Sequence, residues 1–352
     1  MNRPEAVDLL IRCDGHHAIG LGHVYRCLAI AQQLEQQWGL NVAIAVLEGE
    51  LAVQVLHQNA QHVLQCTNRI AEVQWLDNLI AQHHPKGILF DIRTDLGPEP
   101  LERWSHAGVK TAVLDDGSDR RLGADLSFCV PVPQTLTLDW SKARGVALVG
   151  WEWVCLRPGF EACGRPAKSS NNVFVALGGS DPSLGTIKVL EGLALCERQL
   201  HVTVLLGAGF RDDEPLEHLL DKSKHVIQVY RNVAHPAHLM EAADLAVVSF
   251  GMTAFELAAM GIPAALVAWT AGHDLAAQAL VDQGAACNLG LVANLEPKQL
   301  AQTVDALLDS DSKRARMSRA ATAFIDGKGA YRVAGRMAQL CALENPKGPL
   351  NA

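Results

Sequence analysis

Residues 6–34 read AVDLLIRCDGHHAIGLGHVYRCLAIAQQL and pass from a short apolar run, through glycines, into an amphipathic segment. The run AVDLLIRC has the length and near-continuous apolarity of a strand that is buried on both faces. One face of the following segment collects apolar residues at helical spacing, namely Val24, Cys27, Leu28, Ala31 and Leu34. The stretch therefore predicts a buried strand, a glycine turn and a helix that begins near Gly22.

The same strand–turn–helix pattern repeats along the chain. Further strand-like runs in the first half are NVAIAVL, GILFDI and KTAVLDD, and the second half has NVFVAL, HVTVLL, HVIQVY, DLAVVS and PAALVA. Helical patterns lie between these runs, and such alternation is typical of doubly wound parallel sheets. The stretch RPGFEACGRPAKSSNN, residues 157–172, is rich in Pro, Gly and Ser and separates the two series. We therefore predict an α/β protein with two doubly wound, Rossmann-like domains that face a cleft and are joined near 165–172.

Composition narrows the class of protein. The chain has 352 residues, 49% of them hydrophobic, and a formal net charge of −8 with no run of Lys or Arg. This acidic balance argues against nucleic acid or an anionic membrane as the main partner. Nine scattered cysteines without a Cys-x-x-Cys pair are typical of free, buried thiols. With no signal peptide or membrane-spanning run visible, we expect a cytoplasmic protein without membrane insertion. We also expect a monomer.

The turn after the first strand carries three histidines, His16, His17 and His23. Glycines allow positive φ angles, and a helix start presents unpaired N–H groups to an anion. His23 falls in the first helical turn, where the helix dipole favours the neutral imidazole that a general base requires. The turn can therefore provide a base or a phosphate neighbour, or it can be a plain connection. Adjacent His16 and His17 point apart in an extended chain, so no metal site is expected.

A second strand–glycine–helix unit occupies residues 173–193, VFVALGGSDPSLGTIKVLEGL. Ser180 or Asp181 suits the helix cap, and Pro182 suits the first helical turn. The glycines do not complete a dinucleotide or P-loop spacing. The loop is therefore either a phosphate or sugar loop or a simple capped helix.

A third unit ends its strand at Ser249, turns at Gly251 and starts a helix near Thr253. Glu256 follows Thr253 at capping-box spacing, so one interpretation is that the two side chains cap the helix reciprocally. In the other interpretation, the helix start binds a diphosphate and Glu256 accepts hydrogen bonds from ribose hydroxyls.

In this order, the three stretches resemble the nucleotide-sugar proteins of the GT-B glycosyltransferase fold. GMTAFELAAMGIP is similar to their Gly-x-Thr-x-x-Glu-Leu nucleotide-binding helix. More narrowly, IRCDGHHAIGLGHVYRCLAIAQQL is similar to the start of the UDP-sugar hydrolases of pseudaminic acid biosynthesis and their spore-coat polysaccharide relatives. WEWVCLRPGF, ALGGSDP and DGKGAYRVA also look like that family, so the resemblance covers nearly the whole chain.

The resemblance implies roles at the matching positions. The histidine of the Gly-x-Gly-His motif, His23, is the expected general base. The uracil is expected at the loop after HVIQVY, at Arg231, Asn232 and Val233. The rest of the nucleotide is expected at the third helix start. There, Gly251, Met252 and Thr253 are expected to bind the diphosphate and Glu256 the ribose. The residues expected around the sugar are Arg12, Asp14, Gly20, Gly22, Gly178, Gly179, Ser180, His273 and Asp274.

The resemblance also assigns the domains. Residues 1–165 are expected to carry the catalytic histidine and the sugar side of the cleft. Residues 172–330 are expected to bind UDP. Residues 331–352 are expected to form a C-terminal helix and tail that pack back toward the N-terminal domain.

Three departures from the family pattern leave the sugar and the reaction open. DIRTDL lacks the family's tyrosine, CVPVPQ stands where the family has Asp-Gln-Asn, and His273 and Asp274 stand where GT-B proteins often show Asn-Gln. The first expectation is metal-independent hydrolysis of a UDP-linked amino-deoxy sugar at its anomeric carbon, with no cofactor. The alternatives are a glycosyltransferase with a UDP-sugar donor and a non-catalytic nucleotide-sugar-binding protein.

Overall fold

The structure, a computed structural model, describes residues 6–15, 20–47, 49–59, 61–66, 70–160, 171–179, 181, 184–207, 209–211 and 213–343. Its contacts divide the chain into two units. The first unit consists of Met1–Pro131, Thr135–Arg157 and Lys328–Ala352. The second unit consists of Val132–Gln134 and Pro158–Gly327. Apart from Val132–Gln134, the chain leaves the first unit after Arg157 and returns to it at Lys328.

The first unit is built on a parallel sheet. Its strands are β1 (Leu9–Cys13), β2 (Val42–Val46), β3 (His62–Gln65), β4 (Gly87–Asp91), β5 (Lys110–Leu114), β6 (Leu126–Cys129) and β7 (Val146–Val149). The helices along this part of the chain are α1 (Gly22–Trp38), α2 (Glu50–Gln58), α3 (Glu72–His83), α4 (Pro98–His106), α5 (Arg120–Gly123) and α6 (Pro133–Leu136), with a 3₁₀ turn at Trp151–Trp153. Among the described residues the strand order is β3-β2-β1-β4-β5-β6-β7.

The second unit repeats this architecture. Its strands are β8 (Asn172–Ala176), β9 (His201–Leu206), β10 (Val226–Arg231), β11 (Leu245–Ser249), β12 (Ala264–Ala268) and β13 (Ala286–Leu291). The helices are α7 (Gly185–Leu193), α8 (Asp213–Lys222), α9 (Ala237–Glu241), α10 (Met252–Met260), α11 (Ala271–Asp282), α12 (Pro297–Leu308) and α13 (Asp311–Phe324), with a 3₁₀ turn at Val292–Asn294. In the described part of the chain the strand order is β10-β9-β8-β11-β12-β13.

Each sheet changes winding direction at one point. In the first sheet β1 pairs in parallel with both β2 and β4, and in the second sheet β8 pairs in parallel with both β9 and β11. The prediction of two doubly wound α/β halves is confirmed. Ligands of such sheets bind outside the carboxyl ends of the strands at this switch point. The two places to search are therefore the ends of β1 and β4 and the ends of β8 and β11.

Hydrophobic burial follows the sequence pattern. Every residue of β1, β2, β4, β11 and β12 is buried, as the near-continuous apolar runs predict for strands covered on both faces. The predicted apolar face of α1 is at most 4% exposed and consists of Val24, Cys27, Leu28, Ala31 and Leu34. These contacts fix α1 against the sheet and so fix the orientation of its first turn.

The last helix, α14 (Gly329–Leu340), completes the core of the first unit. Val333 and Met337 are buried in the same cluster as the apolar face of α1. The rings of Trp38 and Tyr331 lie 5.4 Å apart between their centroids. Residues from both ends of the chain therefore share one core.

The described cysteines all carry free thiols, and most of them are buried. In the part of the chain that the structure covers, no helix has both the length and the apolarity needed to span a bilayer.

Candidate functional site

His23 lies at the start of α1, close to the end of β1. The helix begins at Gly22, so His23 is its second residue, as the sequence predicts. Gly20 has a φ of 74°, a left-handed conformation that glycine adopts without strain. This turn places a histidine at the switch point of the first sheet, with 15% of its side chain exposed.

The partner of His23 is Asp91, the last residue of β4. Nδ1 of His23 lies 2.6 Å from Oδ1 of Asp91. β4 is the neighbour of β1, with Asp91 in register with Cys13, so the sheet brings the two side chains together. The side chain of Asp91 is fully buried.

Arg26, one turn further along α1, holds the same carboxylate. Its Nε donates to Oδ2 of Asp91 at 2.5 Å, and its Nη2 donates to Oδ1 at 2.6 Å. Nη1 of Arg26 donates to Oδ2 of Asp115 at 2.8 Å. Asp115 follows β5 with a φ of 48° and accepts a second hydrogen bond from the amide of Val130. Residues from α1, β4 and the end of β5 thus form one charged network.

The charges around Asp91 decide which ring nitrogen of His23 carries the proton. Burial alone would raise the pKa of Asp91, but Arg26 and His23 lower it to well below its usual range. An ionised carboxylate only accepts hydrogen bonds, so the 2.6 Å contact requires the proton on Nδ1 of His23. The neutral ring then has an unprotonated Nε2, which makes no hydrogen bond with a described residue. This is the arrangement of a general base.

Arg12 and Asp14, predicted to border the sugar, bind each other. Nη2 of Arg12 donates to Oδ2 of Asp14 at 2.6 Å, and its Nε donates to Oε1 of Glu72 at 2.8 Å. The side chain of Arg12 is fully buried, and Asp14 accepts from the amide of Leu47. The structure therefore uses this pair to hold the end of β1 and places the guanidinium inside the unit.

Most residues predicted to bind the nucleotide and the sugar lie at the carboxyl edge of the second sheet. They follow β8, β10, β11 and β12 and are Gly178, Gly179, Asn232, Val233, Gly251, Met252, Thr253, Glu256, His273 and Asp274. Ser180, His16 and His17 lie outside the described residues. Arg231 ends β10 and forms an ion pair with Asp213.

The helix starts at this edge differ in what caps them. Both carboxylate oxygens of Asp181 accept from the start of α7, at 2.7 Å from Gly185 N and 2.9 Å from Thr186 N. Asp181 thus accepts from the first amides as predicted, but the helix begins at Gly185, with Leu184 as its N-cap, later than the start predicted at Pro182. Helix α10 begins at Met252 with Gly251 as its N-cap, and glycine has no side chain that could accept from the first amides. The capping-box interpretation of Thr253 and Glu256 is wrong because the helix begins one residue before Thr253.

His273 and Asp274 belong to the first turn of α11. The amide of His273 donates to the hydroxyl of Thr270, so its imidazole takes no part in capping. The exposed ring has its centroid 6.3 Å from that of Phe250, which follows β11. Asp274 accepts from Nδ2 of Asn288 at 2.6 Å, so its carboxylate is tied to β13.

Asp91, Arg26 and Asp115 were not singled out as site residues from the sequence. Two signals were present. The apolar runs GILFDI and KTAVLDD each carry aspartate near their carboxyl end, where α/β sheets bind ligands. Arg26 follows His23 at a spacing of three residues, which places both side chains on one face of a helix.

Among the described residues, no group of three or more His, Cys, Asp or Glu side chains is arranged to hold a metal ion.

Comparisons with known proteins support this architecture. Residues 173–334 match the model of the glycosyltransferase family 28 C-terminal domain. The uncharacterized protein MJ1062 of Methanocaldococcus jannaschii is 28% identical over 270 residues, which cover 72% of this chain. That match spans only 54% of MJ1062, about half of its length. The spore coat polysaccharide biosynthesis protein SpsG of Bacillus subtilis is 24% identical over 333 residues, which cover 92% of this chain and 95% of SpsG.

Solved structures show the same fold. MurG of Acinetobacter baumannii superposes with a TM-score of 0.71 at 17% identity, covering 94% of this chain and 99% of MurG. HepE of Anabaena in complex with UDP-glucose gives a TM-score of 0.62 at 15% identity, covering 94% of this chain and 99% of HepE. The chain therefore has the GT-B fold of glycosyltransferases, and its second unit is similar to the family 28 C-terminal domain.

The geometry of His23 and Asp91 generates a first prediction. Asp91→Asn should lower kcat by a factor of about 10²–10⁴, because a neutral amide no longer fixes the Nδ1-protonated ring. The KM for the substrate should change little. Steady-state kinetics measure both values, with thermal melting to confirm that the variant is folded. Asp119→Asn, at an exposed aspartate of the same unit, is the matched control. An Asp91→Asn variant with wild-type kcat contradicts the assignment.

Proposed function

We propose that the chain hydrolyses a UDP-linked amino-deoxy sugar at its anomeric carbon, releasing UDP and the free sugar without a requirement for a divalent metal ion. The observation that carries this proposal is the His23–Asp91 pair at the switch point of the first sheet. A ring whose Nδ1 proton is bound by a carboxylate keeps Nε2 for accepting a proton. The free sugar would serve nonulosonic acid synthesis of the pseudaminic type or surface polysaccharide biosynthesis, and the name of the SpsG relative supports the second of these roles.

In the proposed reaction, Nε2 of His23 removes a proton from a water molecule while the water oxygen attacks C1 of the sugar. The new C1–O bond forms as the bond between C1 and the β-phosphate oxygen breaks, and the electron pair leaves with UDP. The proton stays on the imidazole until bulk solvent removes it. A positioned base typically contributes a factor of about 10²–10⁴ to the rate.

For the leaving group we assign the start of α10, at Gly251, Met252 and Thr253. The amides of a helix start bind anions, and the N-cap residue here, Gly251, has no side chain to accept from them. Preorganised donors of this kind stabilise developing negative charge by about 3–4 kcal/mol each where removal has been measured. The start of α7 is less suited to the diphosphate, because the carboxylate of Asp181 already binds its amides.

The remaining predicted residues are assigned around the same nucleotide sugar. Glu256, which is 6% exposed, is assigned to the ribose hydroxyls, and Asn232 and Val233 are assigned to uracil. The sugar is assigned to Gly20, Gly22, Gly178, Gly179, Ser180, His273 and Asp274, while Arg12 and Asp14 hold the end of β1. The UDP-glucose complex of HepE, a structure of the same fold, supports a nucleotide sugar as the ligand.

A glycosyltransferase with a UDP-sugar donor is the second candidate. The description of the matching family model and the fold shared with MurG favour it. In that reaction Nε2 of His23 would deprotonate an acceptor hydroxyl in place of water. The two candidates therefore share every residue assignment and differ only in the nucleophile.

Incubation with a panel of UDP-sugars tests the reaction class. We expect UDP release without any acceptor, and the same rate in EDTA. Release that needs an acceptor supports the transferase, and release that stops in EDTA contradicts the metal-independent reaction. UDP-dependent thermal stabilisation without turnover of any sugar would leave only a binding protein.

His23→Gln tests the base within that assay. The variant should release UDP about 10²–10⁴-fold more slowly because Gln cannot accept the proton from water. His57→Gln, on helix α2, is the matched control and should turn over at the wild-type rate. Release by His23→Gln as fast as by the wild type rules out His23 as the base.

Glu256→Gln tests the ribose assignment. A hydrogen bond to a charged group contributes about 1.5–3 kcal/mol, so calorimetry should find UDP bound about 10–100-fold more weakly. The affinity for 2′,3′-dideoxy-UDP should be equal in the variant and the wild type, because that ligand lacks the hydroxyls. Glu217→Gln, at an exposed position of α8, serves as the control. An equal loss for both ligands would assign Glu256 a role in folding instead.

A further inference from the structure

Arg26 is buried beside the base, and the proposed reaction gives it no step. Its side chain is only 10% exposed and bridges two carboxylates, those of Asp91 and Asp115. Burial alone would lower the pKa of Arg26, but Asp91 and Asp115 raise it above its usual value, so the guanidinium is charged. A buried cation one helical turn from the base has a direct electrostatic effect on it.

Arg26 and His23 approach each other through two nitrogens that both carry N–H groups. Nη2 of Arg26 lies 3.1 Å from Nδ1 of His23. Because Nδ1 already donates its proton to Asp91, the guanidinium N–H cannot donate to the same nitrogen. Both groups instead share Oδ1 of Asp91 as their acceptor. The positive charge of Arg26 therefore opposes a second positive charge on the ring.

Asp91 has the opposite effect on the ring. A lone carboxylate at 2.6 Å would favour the imidazolium form, which cannot act as a base. Arg26 binds both oxygens of that carboxylate and offsets its charge. Asp115, with its side chain 25% exposed to solvent, holds the far side of the guanidinium. Asp91 thus contacts the ring at Nδ1 while Arg26 compensates the charge of its carboxylate.

The other titratable groups in this network are thiols. Cys27 donates to Oδ2 of Asp91 at 3.6 Å, and burial with Cys13 and Asp91 raises its pKa well above the usual value. Burial also raises the pKa of Cys155, which faces Arg26, Asp91 and Asp115. These two thiols are neutral near neutral pH. Among the described residues, the charged side chains in contact with His23 are Asp91 and Arg26, and Asp115 is in contact with Arg26.

We propose that Arg26 is a positioning residue that keeps His23 neutral and protonated on Nδ1, so that Nε2 is available as the base near neutral pH. The inference deepens the proposed function, since it concerns the same base. The protonation state of the ring can nevertheless be measured without any substrate. Failure of the Arg26 inference is therefore distinguishable from failure of the proposed reaction.

The first test is ring ¹⁵N NMR of the full chain without ligand, with the His23 signals identified from their loss in His23→Gln. Near neutral pH the wild type should show one protonated nitrogen, Nδ1, and one unprotonated nitrogen, Nε2. Arg26→Met should move both signals toward the imidazolium pattern. Arg103→Met, at an exposed arginine paired with Asp77, is the matched control and should leave both signals unchanged.

The second test is the pH dependence of kcat/KM for UDP release. Removing a charge this close should move the acid limb of the Arg26→Met profile upward by about 1–2 pH units. Arg26→Lys retains the charge without the planar fork. The acid limb of the Arg26→Lys profile should return toward that of the wild type. The kcat of Arg26→Lys should stay below the wild-type value. The KM for the UDP-sugar should be similar in all three proteins, because Arg26 is not assigned a substrate contact.

Three results overturn the inference. The first is a wild-type ring that is protonated on Nε2 or doubly protonated near neutral pH. This measurement does not depend on the folding of any variant. The second is an Arg26→Met profile whose acid limb stays in place or moves downward. The third is an acid limb that shifts as far in Arg26→Lys as in Arg26→Met, because charge would then not be the cause.

Discussion

The buried contact between Arg26 and Asp91 is the interaction on which the first unit's site depends. Bringing both ions out of water carries a large desolvation cost, and two hydrogen bonds of 2.5 and 2.6 Å offset it. Such a pair requires α1, β4 and the end of β5 to meet in one register. The parallel sheet brings these elements together because β4 lies beside β1. Along the chain, β1 is followed directly by α1. The apolar face of α1 then holds the helix in place.

The second unit presents a different chemistry at the equivalent edge of its sheet. The carboxylate of Asp181 accepts from the start of α7, whereas the N-cap of α10, Gly251, has no side chain. An anion can bind there through backbone amides, so no cluster of basic side chains is required. Backbone amides can therefore bind the proposed anionic nucleotide locally although the chain has a formal net charge of −8.

Features set by local sequence could be predicted, and features set by distant contacts could not. The buried strands, the helix after Gly22 and the position of His23 follow from apolar periodicity and glycine placement over about thirty residues. Asp91 lies 68 residues from His23, and Asp115 lies 89 residues from Arg26, so only the strand order brings them together. The capping-box error at Thr253 has a local cause. Gly251 is the N-cap and the helix begins at Met252, so Thr253 is already the second helical residue and cannot be the cap.

The origin of the oxygen atom in the products tests the central claim most directly. UDP-sugar should be turned over in water labelled with ¹⁸O, and both products analysed by mass spectrometry. Attack of an activated water on C1 predicts one labelled oxygen in the free sugar at early times and none in UDP. Label in the β-phosphate of UDP would mean attack at phosphorus and would contradict the role given to His23 and to the start of α10.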